Sequence, residues 1–322
     1  MTDITVTTRQ VRPPAPASVS EQAQEFLSTE SPFDEDLEPD LDDTEGWLRL
    51  IETREVPVRA MFATRVPPPD VLARTQVELA GVPSYVLRPH HTPEDNGAPL
   101  FLEIHGGGLF MCGGDLAWMM SAEKAADRIG VTWVPDYRNP PLHPYPAALD
   151  DCLAVYRRAL EERPPSKIII SGGSGGGNLA AALLLRAKDE GLPMPAGLVL
   201  LTPELDLTES GDSFRTNLGI DFLKSLMQVN RLYAGGHDLA HPYLSPLFGD
   251  LTGFPPTFLQ TGTRDLFLSN AVRMHRRLRA AGVETELHVF EAMPHGSFGG
   301  HTPEDKELQV EERRFERQHL QI

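Results

Sequence analysis

The chain has 322 residues but only two cysteines, Cys112 and Cys152. That excludes a disulfide-stapled scaffold and a four-cysteine zinc site. Long apolar runs are missing too. The longest, at 179–185 and 198–201, fall far short of the ~20 residues a membrane-spanning helix needs. The opening MTDITVTTRQVRPPAPAS has no apolar core of signal-peptide length. Positive charge is scarce: 29 Lys and Arg face 46 Asp and Glu, a net −17. Such a chain repels nucleic-acid phosphate and anionic lipid, so neither nucleic acid nor membrane is an expected partner. No Gly-Lys pair occurs, which excludes a P-loop. No Gly-x-Gly-x-x-Gly follows a strand pattern, so dinucleotide binding has no support. Together these absences lead to the expectation of a soluble cytoplasmic protein.

The acids are unevenly spread. Residues 1–45 hold twelve acids and two bases, and nine of the acids fall between Glu30 and Glu45. Pro13, Pro14, Pro16, Pro32 and Pro39 share the segment. Such a stretch buries too little apolar surface to offset its ordering entropy, so a solvated, partly mobile arm is expected. The alternative is an arm docked on the body that shapes a ligand entrance. Phe26, Leu27, Phe33, Trp47, Leu48, Leu50 and Ile51 would be its anchors.

From about residue 70 short apolar runs alternate with helical patterns. Strands are expected near 75–79, 84–87, 100–104, 132–135, 167–171, 198–202, 257–261 and 285–290. Continuous runs such as Ile168-Ile169-Ile170 suit strands buried on both faces of a parallel sheet. Helices are expected at 116–129, 146–162, 176–190 and 266–281, the last stopped by Gly282. Thr302-Pro303-Glu304-Asp305 reads as the capped start of a final helix. This alternation implies a doubly wound α/β sheet. Residues 207–248 interrupt it with polar sequence, a helical pattern at Phe222, Leu223, Leu226 and Met227, and a Gly/His/Pro-rich exit. They read as an insertion above the sheet.

Chemistry concentrates at strand ends. Gly172-Gly173-Ser174-Gly175-Gly176 holds a Gly-x-Ser-x-Gly pattern between a buried strand and a buried helix. A serine on so sharp a turn projects its hydroxyl above the sheet, and glycines avoid the strand–helix clash. The helix N-terminus offers free N–H groups to a developing oxyanion. Upstream, His105-Gly106-Gly107-Gly108 follows another strand. The N–H groups of Gly107 and Gly108, with that of Gly175, form the expected oxyanion hole. A serine nucleophile needs a histidine base and an acid to orient it, in chain order Ser, Asp or Glu, His. Asp265 and His295 follow strands at the right places, with Asp206 as competitor to Asp265 and Glu204 as a weaker supporting candidate. His105 is expected to brace its loop; His143, His237 and His241 read as ordinary surface residues, with a place along a cleft as the alternative.

Taken together these segments resemble the bacterial hormone-sensitive-lipase-like carboxylesterases of the α/β-hydrolase superfamily. The resemblance runs over about residues 75–320. It is carried by His105-Gly-Gly-Gly, Asp136-Tyr137-Arg138, His143 to Asp151, the elbow followed by Asn178-Leu-Ala, Asp265, and Pro294-His295-Gly296. It implies an eight-stranded, mostly parallel sheet flanked by helices and covered by a helical cap. On this basis 1–65 is an acidic arm and first part of the cap, 66–206 and 249–322 the catalytic domain, and 207–248 the cap insertion. It also implies no metal or cofactor, often a homodimer, and short- to medium-chain esters as substrates. The branch usually has Gly-Asp-Ser-Ala-Gly, where this chain has Gly173 and Gly175. A lactone substrate, acyl transfer with the same triad and, more remotely, a non-catalytic small-ligand receptor are the alternatives.

Overall fold

The computed structural model describes residues 12–29, 38–93 and 97–322. All eight expected strands form: β1 (Leu72–Leu79), β2 (Val82–Pro89), β3 (Leu100–Ile104), β4 (Val131–Pro135), β5 (Ile168–Gly173), β6 (Gly197–Leu201), β7 (Thr257–Gly262) and β8 (Thr285–Phe290). They make one sheet in the order β1-β2-β4-β3-β5-β6-β7-β8. β2 pairs antiparallel with β1 and β4, and every other pairing is parallel. The apolar runs behave as expected of doubly covered strands. Ile168 and Ile170 of β5 enter the main core with Leu198 and Leu200 of β6, while Ile169 and Val199 face the opposite layer with Phe101, Phe258 and Phe315. Successive side chains alternate faces, so a strand covered on both sides must be apolar throughout.

The helices are α1 (Glu21–Leu27), α2 (Thr44–Ala63), α3 (Asp115–Ala126), α4 (Ala147–Glu162), α5 (Gly175–Asp189), α6 (Ser213–Thr216), α7 (Met227–Ala234), α8 (Leu268–Ala280) and α9 (Pro303–Leu320). α4, α5 and α8 supply the main core, and α9 covers the other face. α9 starts where the cap signal placed it. The Thr302 hydroxyl accepts from Asp305 N–H while the Asp305 carboxylate accepts from Thr302 N–H. None of the described helices is long and apolar enough to cross a membrane.

Two expectations are corrected. Where described, the arm is docked rather than solvated. α1 buries Ala23 and Leu27 against Ala292, Met293 and Phe298. α2 buries Trp47 completely, its ring edge-on to Phe110 at 5.8 Å. Ser20 and Asp43 cap the two helices. The capped turns then align apolar residues on one stripe, which average composition conceals. Residues 1–11 and 30–37, including Pro32, Phe33 and the acids there, lie outside the described residues. In the insertion, the helical pattern beginning at Phe222 is not helical until Met227. Carboxylates take the backbone donors first: Phe222 N–H donates to Asp221 Oδ1 (2.6 Å) and Leu226 N–H to Glu209 Oε1 (2.6 Å).

Candidate active site

β5 runs into α5 through Ser174, whose backbone sits at φ 54°, ψ −126°. That conformation is strained for a residue with a side chain, on the order of 1–3 kcal/mol. Ser174 N–H donates to Leu201 O (2.9 Å), and its carbonyl accepts from Gly177 N–H (3.0 Å) and Glu204 N–H (3.2 Å). The turn is thus held from β6 and from its own helix. The two pattern glycines are the ones the packing requires. A Cβ at Gly172 would lie 2.3 Å from Gly176 O, and one at Gly176 2.1 Å from Ile104 O. Asn178 locks the start of α5 by donating to Glu204 O and Leu244 O, each at 2.8 Å.

Three loops at the strand C-termini bring the expected residues together. His295 Nε2 lies 2.9 Å from Ser174 Oγ, and His295 Nδ1 lies 3.2 Å from Asp265 Oδ1. A carboxylate can only accept, so Nδ1 carries the proton toward Asp265 and Nε2 is free to accept from the serine. Asp265 is fully buried. Its Oδ1 also accepts from Phe267 N–H (2.9 Å) and its Oδ2 from the Thr261 hydroxyl (2.6 Å). The edge of the His295 ring meets Phe267, with centroids 4.8 Å apart. Burial alone would push the imidazole pKa down. The hydrogen bond and charge of Asp265, then the charges of Asp221 and Glu204, reverse this and hold it above the ordinary value.

Asp221 was not singled out by sequence. It sits in an irregular stretch of the insertion just after the turn at Gly219, with no strand end to mark it. Glu204 was only a weak candidate. It is fully buried and neither carboxylate oxygen has a hydrogen bond among the described residues. Asn230 approaches it without making a bond of normal geometry, and burial pushes its pKa up to about 7. Asp206, the competitor, is committed elsewhere. It accepts from the Thr208 and Ser210 hydroxyls (2.5 Å each) and from Arg273 (2.6 Å).

The glycine loop lies beside the serine. Gly107 and Gly108 have φ values of 120° and 58°, and a Cβ at Gly107 would lie 2.3 Å from Met111 O. Among the described residues, the N–H groups of Gly107, Gly108 and Gly175 donate to no protein acceptor. Glu55 of α2 holds the end of the loop by accepting from Cys112 N–H (2.7 Å). His105 braces its start. It is buried, stacks on Tyr137 at 4.1 Å, and accepts the Tyr137 hydroxyl at its carbonyl (2.8 Å). Burial pushes its pKa down to about 4, which keeps it neutral. His237 and His241 pack around Tyr145, and His143 is exposed.

Ser174 and His295 open into a cavity of about 710 Å³, a size typical of small-molecule sites. Its walls are mainly apolar: Phe26 of the arm, Val58 and Phe62 of α2, Phe110, Met119 and Met120, and Phe222, Leu223 and Leu226 of the insertion. Glu103, Lys124 and Arg313 also line it.

Comparison with known proteins agrees with this geometry. Residues 101–299 match the family model described as the alpha/beta hydrolase fold. An esterase of Acinetobacter venetianus is 31% identical over 261 residues, covering 78% of this chain and 83% of that protein. Among solved structures, one esterase is 33% identical at TM-score 0.85, covering 96% of this chain and 98% of the other. An esterase from the bacterial hormone-sensitive lipase family is 29% identical at TM-score 0.77, covering 93% and 96%. The sheet order, the elbow serine and these matches place the chain in the α/β-hydrolase fold family, in its bacterial hormone-sensitive-lipase branch.

Proposed function

We propose that the protein hydrolyses carboxylic esters of small molecules through an acyl-enzyme. The observation that carries this is the unbroken chain Ser174–His295–Asp265, whose serine and histidine line the apolar cavity. His295 Nε2 takes the Ser174 proton as Oγ attacks the ester carbonyl. Asp265 holds the imidazole and stabilises its charge. The N–H groups of Gly107, Gly108 and Gly175 receive the oxyanion, each such donor contributing about 3 kcal/mol in comparable sites. The imidazolium then protonates the departing alcohol, and a water repeats the sequence to release the acid. The apolar walls suit short- to medium-chain acyl groups. An acidic chain that repels anions favours neutral esters or lactones over carboxylate-bearing ones.

The test is hydrolysis of p-nitrophenyl esters from acetyl to lauroyl, with a lactone alongside, by wild type and Ser174→Ala. The wild type should be fastest on short chains, and Ser174→Ala should lose about five powers of ten in turnover. Activity retained by Ser174→Ala would overturn the reading. A lactone turned over faster than every ester would move the substrate class to cyclic esters. Transfer products formed in added alcohol would mark an acyltransferase.

A further inference from the structure

Asp221 belongs to the insertion, yet its carboxylate bonds both loops that carry the acid and the base. Oδ1 accepts from His295 N–H (3.1 Å) and Phe222 N–H (2.6 Å), and Oδ2 accepts from Leu266 N–H (2.5 Å). Leu266 directly follows Asp265. Four residues upstream, Asn217 grips the same loop with its amide, at Thr263 O (3.2 Å) and Asp265 O (2.8 Å). Asp221 is 5% exposed. A buried anion with three N–H partners is a stiff joint, and here it fixes the spacing between the Asp265 and His295 backbones.

Its charge has a second consequence. The groups acting on the buried imidazole are Asp265 from the β7–α8 loop, Asp221 from the insertion and Glu204 from the segment after β6, with the Ser174 hydroxyl on Nε2. All three are carboxylates, and Glu204 adds its negative charge only as pH passes about 7. An imidazolium that forms as Ser174 gives up its proton is therefore stabilised from more than one side. We infer that Asp221 is a positioning residue for the esterase reaction: it sets the register of the acid and base loops and lends negative charge to the imidazolium. Burial, and after it the charge of Asp265, pushes the Asp221 pKa up to about 6. The carboxylate is still mostly ionised at neutral pH.

The inference rests on the esterase reading, and the experiment separates the two. Full-length wild type, Asp221→Asn, Asp221→Glu and Asn217→Ala are assayed with a p-nitrophenyl ester across pH, and the His295 ring is titrated by NMR in each. Asp221→Asn should lower kcat about 10- to 100-fold, the scale of a small misplacement of reacting groups, with KM within about threefold. Its His295 titration and the acidic limb of kcat/KM should both move to lower pH, because an anion that favoured the imidazolium is gone. Asp221→Glu should recover part of that shift. Asn217→Ala, which removes a neutral grip, should lower kcat without moving the titration. A folded Asp221→Asn protein whose His295 titrates as in wild type would reduce Asp221 to a brace and overturn the inference. A wild-type His295 titrating below the ordinary value of about 6.5 would overturn it even if both Asp221 variants failed to fold. If the wild type hydrolyses no ester, the esterase reading fails, while the NMR shift still reports on the Asp221–His295 coupling.

Discussion

Between α3 and α9, Arg128 is wholly buried but does not lack partners. It lies 2.8 Å from Glu103 and 2.6 Å from Glu316, and its guanidinium rests over Phe101 at 4.3 Å. Lys124 lies 3.1 Å from Glu103 and 2.7 Å from Glu312, and Arg313, paired with Glu316, brings the group to three cations and three carboxylates. Around His295, at the same cavity, three carboxylates face a single imidazole. The residue types are similar but the charge balance is not, and the carboxyl groups respond in opposite ways. Burial works against ionised Glu103, yet the charges of Lys124 and Arg128 pull its pKa down to about 2. Glu204, buried without such cations, rises to about 7. A balanced cluster ties helices to the sheet. An unbalanced one keeps an imidazole poised to accept a proton.

The sharpest way to break the comparison is to unbalance the first cluster. Arg128→Met leaves Glu103 and Glu316 buried and short of a cation. Removing one partner of a buried ion pair costs about 3–5 kcal/mol, so the variant should melt far below wild type. Wild-type stability carries the same signature in acid. The folded Glu103 pKa is depressed from 4.5, so its contribution is present above that value and is lost as pH falls toward about 2. Urea titrations of both proteins at several pH values would show it. An Arg128→Met protein as stable as wild type would mean that the cluster does not hold α3 and α9 to the sheet.

Glu204→Gln tests the other cluster and should have the opposite sign. The folded pKa of Glu204 is raised from 4.5 to about 7. Below the ordinary value both folded and unfolded chains are protonated, and nothing is lost. As pH rises from 4.5 to about 7 the unfolded chain ionises first, and stability falls. Gln cannot ionise, and its amide could donate to the unpaired Asn230 Oδ1. The variant should therefore be more stable than wild type by about 2–3 kcal/mol near pH 8, with little difference near pH 4. The acidic limb of its kcat/KM should also shift slightly to lower pH, by less than in Asp221→Asn, since Glu204 acts less strongly on His295 than Asp221 does. A Glu204→Gln protein less stable than wild type near pH 8 would show that this carboxylate has partners that offset its burial.

Much of this contrast was open to sequence reading, but unevenly. The strands were legible because β5 and β6 must be apolar on both faces, and the triad residues because chain order and strand ends restrict where a nucleophile, acid and base can stand. The Gly172 and Gly176 close approaches, both under 2.5 Å for an added Cβ, are why that motif carries so much information. Asp221 and Glu204 were not legible as a pair. A carboxylate in an irregular segment has no period, and its meaning depends on loops 44 to 91 residues away that only the fold brings near. The arm misled for a related reason. Among the described residues, acids such as Glu21, Glu25, Asp40, Asp42, Asp43 and Glu45 face solvent, while Val19, Ala23, Leu27, Trp47 and Leu50 dock it.

The smallest expected effect supplies the reference for both clusters. Arg49 and Glu45 form an i,i+4 pair on α2 at 3.6 Å, with side chains 67% and 86% exposed. The separation is only about an ångström longer than that between Arg128 and Glu316. In water the same charges attract about as strongly as they are hydrated, and ordering two long side chains consumes most of the gain. Arg49→Ala should therefore change stability by no more than about 0.5 kcal/mol, with the difference fading as salt is added. The Arg128→Met loss should persist in the same salt, because the Arg128 side chain is itself shielded from solvent and its pairs are poorly screened. If the two losses instead declined together with ionic strength, the α3–α9 charges would be in contact with water, and the contrast with the His295 cluster would have to rest on charge count alone.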